Sequence, residues 1–289
     1  MFDTSDVKEE DNVLIDQSLA GDKTSLEKLI KKYQNWIYNI ALNMAGDANN
    51  AADITQEVLV KIITNLKSFQ KKSNFRTWMY RIVKNHFLNE KKSKYNSATL
   101  SFDDFGGSLD SIPDESLGKY SFKASDELLV EEAKISCMKG MLLCLTPEQR
   151  LIFILGELFE FSDAVGSQVM EISKANFRVK LHRARTQLYD FMNHKCGLIN
   201  KKNPCRCARK TAGFIKKGYV DPVNLHCQKD TITTIENAAK SKTKAYEEEI
   251  MAEYQKLYRK HPYVKSPEGL QAIRDLLSTK AIKETFNLQ

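Results

Sequence analysis

Between Ala52 and Lys92 apolar residues return every four positions. Ile54, Val58, Ile62 and Leu66 form the stripe, Leu59 and Ile63 widen it, and Asp53, Gln56, Glu57 and Lys61 fall on other faces. That period is the signature of an amphipathic helix with one side in a core and the other in water. The second half of the stretch predicts another helix, with Phe75, Met79, Ile82 and Val83 able to face inward and Arg76, Tyr80, Arg81, Lys84, Lys91 and Lys92 spread over the exposed side. From Gln70 to Lys94 there are eight bases and one acid, Glu90, so this segment alone equals the +7 formal charge of the whole chain. Aromatic rings interleaved with cations make nucleic acid the natural partner.

The charge is segregated elsewhere too. Residues 1–60 hold eleven acids against five bases and residues 95–132 nine against two, whereas residues 174–217 hold thirteen bases and one acid, Asp190. Such blocks fit a protein that touches phosphates with some surfaces and another partner with the rest. At 289 residues, 42% of them hydrophobic, the chain can build two or three units, each with its own core. The acidic start MFDTSDVKEEDN has no apolar segment, and no run approaches the roughly 18 apolar residues of a membrane span. The expected location is the cytoplasm, with no membrane contact, so the six cysteines are expected as thiols or ligands rather than a disulfide frame.

Residues 12–45 carry a helical pattern, Leu26, Leu29, Ile30, Tyr33, Trp36, Ile37, Ile40, Ala41 and Met44, with Gly46-Asp47 as stop and next cap. No alternating strand pattern with hairpin turns is visible, which predicts an all-α fold. From Ser93 to Ser125 the composition shifts to Ser, Asp and Gly and predicts a flexible acidic linker. Thr146-Pro147-Glu148-Gln149 reads as a capping box opening a helix whose buried face is Leu151, Ile152, Ile154, Leu155 and Leu158. Ser162 caps a short helix to Met170, Glu171-Ile172-Ser173 is a tight turn, and Lys174–Phe191 is a long basic helix. That is the plan of a helix-turn-helix. Phe177, Leu181, Ala184, Leu188 and Phe191 would pack inward, leaving Lys174, Asn176, Arg178, Lys180, His182, Arg183 and Arg185 outside or at the edges.

Together DITQEVLVKIITNLKSF, FRTWMYRIVKN, the acidic linker, LTPEQRLIFILGELFEFS and ISKANFRVKLHRARTQL resemble an extracytoplasmic-function sigma factor of bacterial RNA polymerase over residues 12–192. The resemblance implies a region 2 helical bundle at 12–92, a linker at 93–125, a region 4 helix-turn-helix at 126–192 and an extension at 193–289. It implies a non-enzymatic subunit whose partners are core RNA polymerase and promoter DNA, with an anti-sigma protein as a further candidate. Asp53, Gln56 and Glu57 would face the clamp helices of the largest polymerase subunit. Lys84, Asn85, Asn89 and Lys92 would read and help open the minus-ten element, and Lys174, Asn176, Arg178, Lys180, His182 and Arg183 would read the minus-thirty-five element.

Opening a duplex costs about 1.4 kcal/mol per base-pair step, and a base stacked on an aromatic or Arg plane returns roughly 1–3 kcal/mol. Phe75, Trp78 and Tyr80 beside Arg76 and Arg81 could offset part of that cost, and a larger DNA-holding partner must supply the rest. A linker of some 33 residues reaches about 110 Å extended but averages about 30 Å, so it cannot set the spacing of two DNA readers. Weak duplex binding by the chain alone follows. The competing reading is a helix-turn-helix regulator that acts on duplex DNA without polymerase, and would show symmetric half-site binding.

In the extension, Cys196, Cys205 and Cys207 lie close in sequence, with His194 before and His226-Cys227 after. Three thiolates and an imidazole suffice for zinc, though Cys-x-Cys is not the commonest ligand spacing; the other readings are a redox-responsive thiol cluster and unligated structural cysteines. Cys137 and Cys144 are expected in core packing. Ala239–Tyr258 and a segment from Ser266-Pro267-Glu268 through Leu277 are expected as helices of a tail that regulates activity.

Overall fold

A computed structural model of the chain describes residues 5–89, 100–120, 122, 124–225, 231–234, 256–266, 275 and 278. Two compact units emerge, one of residues 1–96, 161–177 and 265–289, the other of residues 97–160 and 178–264. No described helix is long and apolar enough to cross a membrane.

The first unit is built on α1 (Ser5–Leu19), α2 (Lys23–Ala45), α3 (Ala48–Thr64) and α4 (Phe75–Asn89). The helical stretch expected over 12–45 is two helices: Gly21 takes a φ of 100° and Asp22 caps α2, accepting from the amides of Thr24 and Ser25. Glycine meets no Cβ penalty in that left-handed region, so the chain reverses there. Gly46 and Asp47 act as anticipated, the one ending α2 in a left-handed C-cap, the other capping α3. Leu26, Leu29, Ile30, Tyr33 and Ile37 of α2 meet Leu59, Ile62 and Ile63 of α3 and Phe75 and Met79 of α4 in one core. The short helix α8 (Asp163–Met170), its turn and the start of α9 (Lys174–Lys195) belong to this unit as far as Phe177.

The second unit holds α5 (Phe102–Ser111), α6 (Asp126–Leu143), α7 (Pro147–Phe153) running on as a π-turn over Ile154–Leu158, the rest of α9, and α10 (Cys207–Lys216). The Thr146–Gln149 capping box is present. The expected linker is corrected from Ser101 onward. Ser101 caps α5, and Leu109, Ile112 and Leu117 are buried with Leu129 and Ala133 of α6 and Ala212 and Phe214 of α10. Phe102, Phe105, Leu109 and Ile112 recur at helical spacing, and burying that stripe outweighs a polar composition.

Two short antiparallel strands, β1 (Thr231–Thr234) and β2 (Pro262–Val264), qualify the all-helical expectation. The segment 256–264 docks on the second unit. Tyr258, fully buried, sets its ring edge-on to Phe153 with centroids 5.1 Å apart. Of the two tail helices expected, residues 256–259 are helical and the remainder lies largely outside the described residues.

Candidate polymerase and promoter interfaces

On α3, Asp53, Gln56 and Glu57 are exposed on one side while Ile54, Thr55, Val58 and Leu59 are buried. The i, i+3, i+4 spacing that builds the core stripe also aligns this acidic strip. Glu57 lies 3.9 Å from the imidazole of His86, whose Nδ1 is 3.0 Å from Lys61 Nζ. Lys61 and His86 line an open groove of about 470 Å³ together with Asn65, Ser68, Trp78, Ile82 and Asn85. Trp78 is half-buried, its ring stacked on Phe75 at 5.6 Å and tilted against Phe69 at 5.5 Å, so one part of the indole is fixed by packing while another lines the groove. Asn85 is exposed beside it. A fixed aromatic surface, an amide and a Lys in one groove can stack a base and hydrogen-bond its edge.

Other α4 residues singled out in the sequence behave differently. Tyr80 is buried, its ring 5.1 Å from that of Phe161, and burial raises its phenol well above the ordinary value. Arg76 turns inward: its Nε donates to the Tyr33 hydroxyl at 3.0 Å and its guanidinium lies over the Tyr33 ring at 5.6 Å. Tyr33 in turn hydrogen-bonds the buried carboxylate of Asp11, which is ion-paired with Lys32 at 2.7 Å. Phe75 is likewise core. The buried Asp11–Tyr33 pair needs donors and cations close by, and Lys32 and the half-buried Arg76 supply them. Tyr80 is therefore a core residue rather than a base contact, while Arg76, half-buried, is anchored on Tyr33.

Lys84 is ion-paired with Glu171 at 2.5 Å, and Arg81 Nε donates to the Gln168 carbonyl at 2.9 Å, so α8 lies against α4 inside the first unit. The side chain of Asn89 and all of Lys92 lie outside the described residues.

The helix-turn-helix is built as the sequence predicts. Ser162 caps α8 through the Val165 amide, Glu171 ends it in a left-handed conformation with φ 57°, and the Ser173 hydroxyl accepts from the Asn176 amide to open α9. Gly166 has a steric purpose: a Cβ there would stand 2.3 Å from the Phe177 ring, so glycine lets the two helices close on that ring. Along α9, Phe177, Leu181, Ala184 and Leu188 are buried, and Lys174, Asn176, Arg178, His182 and Arg183 are exposed. Lys180 reaches back to Glu148 at 2.6 Å.

Two residues of this helix have roles that the sequence did not disclose. Val179 is 48% exposed among the cations, and an exposed valine on such a helix suits contact with a thymine methyl. Its signal was an apolar residue out of step with the inward stripe. Arg185 turns to Glu157, which is fully buried at the π-turn and also lies 3.7 Å from Arg259 of the docked tail segment. Behind it, buried Arg150 donates to the carbonyls of Leu142, Leu143 and Leu145 at 2.9–3.0 Å and so caps the end of α6.

Residues 29–96 match the family description "Sigma-70 region 2" and residues 135–188 match "Sigma-70, region 4". The ECF RNA polymerase sigma factor SigW of Bacillus subtilis is 26% identical over 179 residues, covering 60% of this chain and 92% of SigW. The chain belongs to the extracytoplasmic-function sigma factors. RNA polymerase sigma factor YlaC of the same organism is 26% identical over 168 residues, 57% of this sigma factor and 91% of the relative. CnrH, solved in complex with the cytosolic domain of CnrY, covers 64% of this chain and 97% of its own at 17% identity, with a TM-score of 0.45. The groove and the acidic strip thus lie in region 2 of this sigma factor, and α8 and α9 in region 4.

The extension beyond region 4 carries Cys196, Cys205 and Cys207. Cys196 and Cys205 lie near both Cys207 and Cys137 of α6, whose thiols are raised mainly by burial and further by those two neighbours. Among the described residues no group of three or more His, Cys, Asp or Glu side chains is arranged to hold a metal ion. His194 is exposed, its Nδ1 2.6 Å from the Asp190 carbonyl one turn back, and His226 and Cys227 lie outside the described residues.

Proposed function

We propose that this alternative sigma factor binds core RNA polymerase through the α3 strip of Asp53, Gln56 and Glu57, and directs initiation by reading promoter DNA at two separate places. The region 2 groove of Lys61, Trp78 and Asn85, with Lys84, Asn89 and Lys92 toward its C-terminal side in sequence, takes bases of the minus-ten element. The exposed face of α9, Lys174, Asn176, Arg178, Val179, His182 and Arg183, reads the minus-thirty-five element, with Lys180 at its edge. The observation that carries this reading is the pairing of region 2 and region 4 in order in one chain. Neither reader alone offsets the cost of melting several base pairs at about 1.4 kcal/mol per step. Polymerase is the scaffold that holds both on one promoter, and an anti-sigma protein is a natural negative partner for the same surfaces.

Affinity capture of core RNA polymerase tests the docking face. The wild-type chain is expected to retain core enzyme, and Glu57→Lys with Asp53→Lys to lose it while keeping the native circular-dichroism spectrum. Equal capture by both removes α3 as the docking surface.

A further inference from the structure

Helix α9 ends at Lys195, and the next residue, Cys196, pairs its backbone with Cys205 in an isolated parallel β-bridge. Adjacent extended segments run about 4.8 Å apart, which falls inside the roughly 4.4–6.8 Å Cα separation of a disulfide. Directly bridged residues send their side chains to the same face, and both thiols are free and only part-buried. The backbone pairing is held by groups other than sulfur. Asn203 Nδ2 donates to the carbonyls of Asn193 at 2.8 Å and Cys196 at 3.3 Å, and the Arg206 guanidinium donates to those of Cys205 at 3.0 Å and Lys201 at 2.8 Å. The two neighbouring thiols are poorer reactants. Burial pushes Cys207 up to about 12 and Cys137 well above the ordinary thiol value, so neither holds much thiolate, the reactive form.

We propose that Cys196 and Cys205 are a redox-active dithiol that closes to an intramolecular disulfide, fastening the C-terminal end of the region 4 recognition helix to the loop that leads into α10. The oxidant is a hydroperoxide. The thiolate of one cysteine attacks the outer peroxide oxygen, the O–O bond breaks, and the alcohol leaves with the proton while the sulfur becomes a sulfenic acid. The second thiol then displaces water from that sulfur. In sum two thiols and one hydroperoxide give one disulfide, one alcohol (water, for hydrogen peroxide) and one water. Burial also lifts the Cys205 thiol, so closure is slow near neutrality and faster toward alkaline pH.

The full-length chain, purified without chelator, is first assayed for zinc. It is then treated with hydrogen peroxide at pH 7 and pH 9, alkylated, cut with trypsin and mapped without reduction. Cleavage after Lys195, Lys201, Lys202, Arg206 and Arg209 puts Cys196, Cys205 and Cys207 on three different peptides. The expected product joins the peptide of residues 196–201 to that of residues 203–206, lighter by two hydrogens, and forms several-fold faster at pH 9. It persists in Cys137→Ser, disappears in Cys196→Ser with the circular-dichroism spectrum unchanged, and is reversed by dithiothreitol. A dominant crosslink through Cys207 or Cys137, the absence of any crosslink, or about one zinc per chain that shields Cys196 and Cys205 from peroxide overturns the proposal.

Discussion

Lys84 on α4 and Glu171 at the turn of the helix-turn-helix stand 2.5 Å apart, joining two residues that are 87 positions apart in the chain. The hydrogen bond from Lys84 is the main reason the Glu171 carboxyl is held below its ordinary value. A depressed carboxylate stabilises the fold above its unfolded value near 4.5 and stops doing so as pH falls through the lowered folded value, so the clasp is closed throughout the neutral range.

With that clasp closed, one cation of α4, proposed above to meet promoter DNA, is already neutralised. Glu171→Ala is expected to tighten binding of the free chain to mixed-sequence single-stranded DNA by roughly twofold to fivefold, the range of a partly exposed ion pair worth up to about 1 kcal/mol. Fluorescence anisotropy at low salt checks this. Unchanged affinity would mean that Lys84 takes no part in DNA contact.

The recognition helix and the tail segment meet at one buried acid, Glu157, paired with both Arg185 and Arg259. Glu157→Gln leaves two guanidinium groups facing a neutral amide. Breaking a buried pair by removing one partner costs about 3–5 kcal/mol. Urea unfolding of the variant is expected to show an unfolding free energy lowered by that amount, seen as a lower midpoint at an unchanged slope. A loss below about 1 kcal/mol would show that the acid is not the hinge of this contact.

Acid sensitivity should come from the tail. His261 is buried against Tyr258, ring centroids 6.1 Å apart, and neither ring nitrogen has a hydrogen-bond partner among the described residues. Burial first, then nearby Lys139, bring its value down from 6.5 to about 3, with Glu132 opposing. A histidine depressed in the fold is neutral there and protonated in the unfolded chain, so its contribution is complete above about pH 6.5 and shrinks as pH falls toward 3. Between pH 7 and pH 5 the second unit is expected to lose about 2 kcal/mol, and His261→Phe to lose markedly less. Parallel pH profiles for the two proteins would contradict this.

Local elements were the legible part of this chain. The Thr146–Gln149 capping box, the Ser162 cap and the Gly46-Asp47 boundary each rest on hydrogen bonds within a few residues, and each stands where the residues indicated. The acidic strip on α3 was legible because one periodicity fixes both faces of a helix. What escaped depends on partners distant in sequence. An Arg on α4 looks alike whether it faces solvent or a buried Tyr, so the hold of Arg76 on Tyr33 and, through it, Asp11 was not legible in the sequence. The helix α5 was hidden by serines, aspartates and glycines, although its three apolar residues, with Ile112 at its C-cap, kept the right spacing. Glu157 left only a weak sign, an acid set inside the apolar run 151–161.

The central claim is that region 2 and region 4 become a promoter reader on core polymerase. The direct measurement is in vitro transcription of a fragmented genomic DNA library by core enzyme with and without this chain, mapping RNA 5′ ends. The account predicts start sites that appear only with the chain and share two sequence blocks upstream at a constant spacing. Arg178→Ala with Arg183→Ala should weaken dependence on the upstream block alone. Identical 5′ ends with and without the chain would contradict the account.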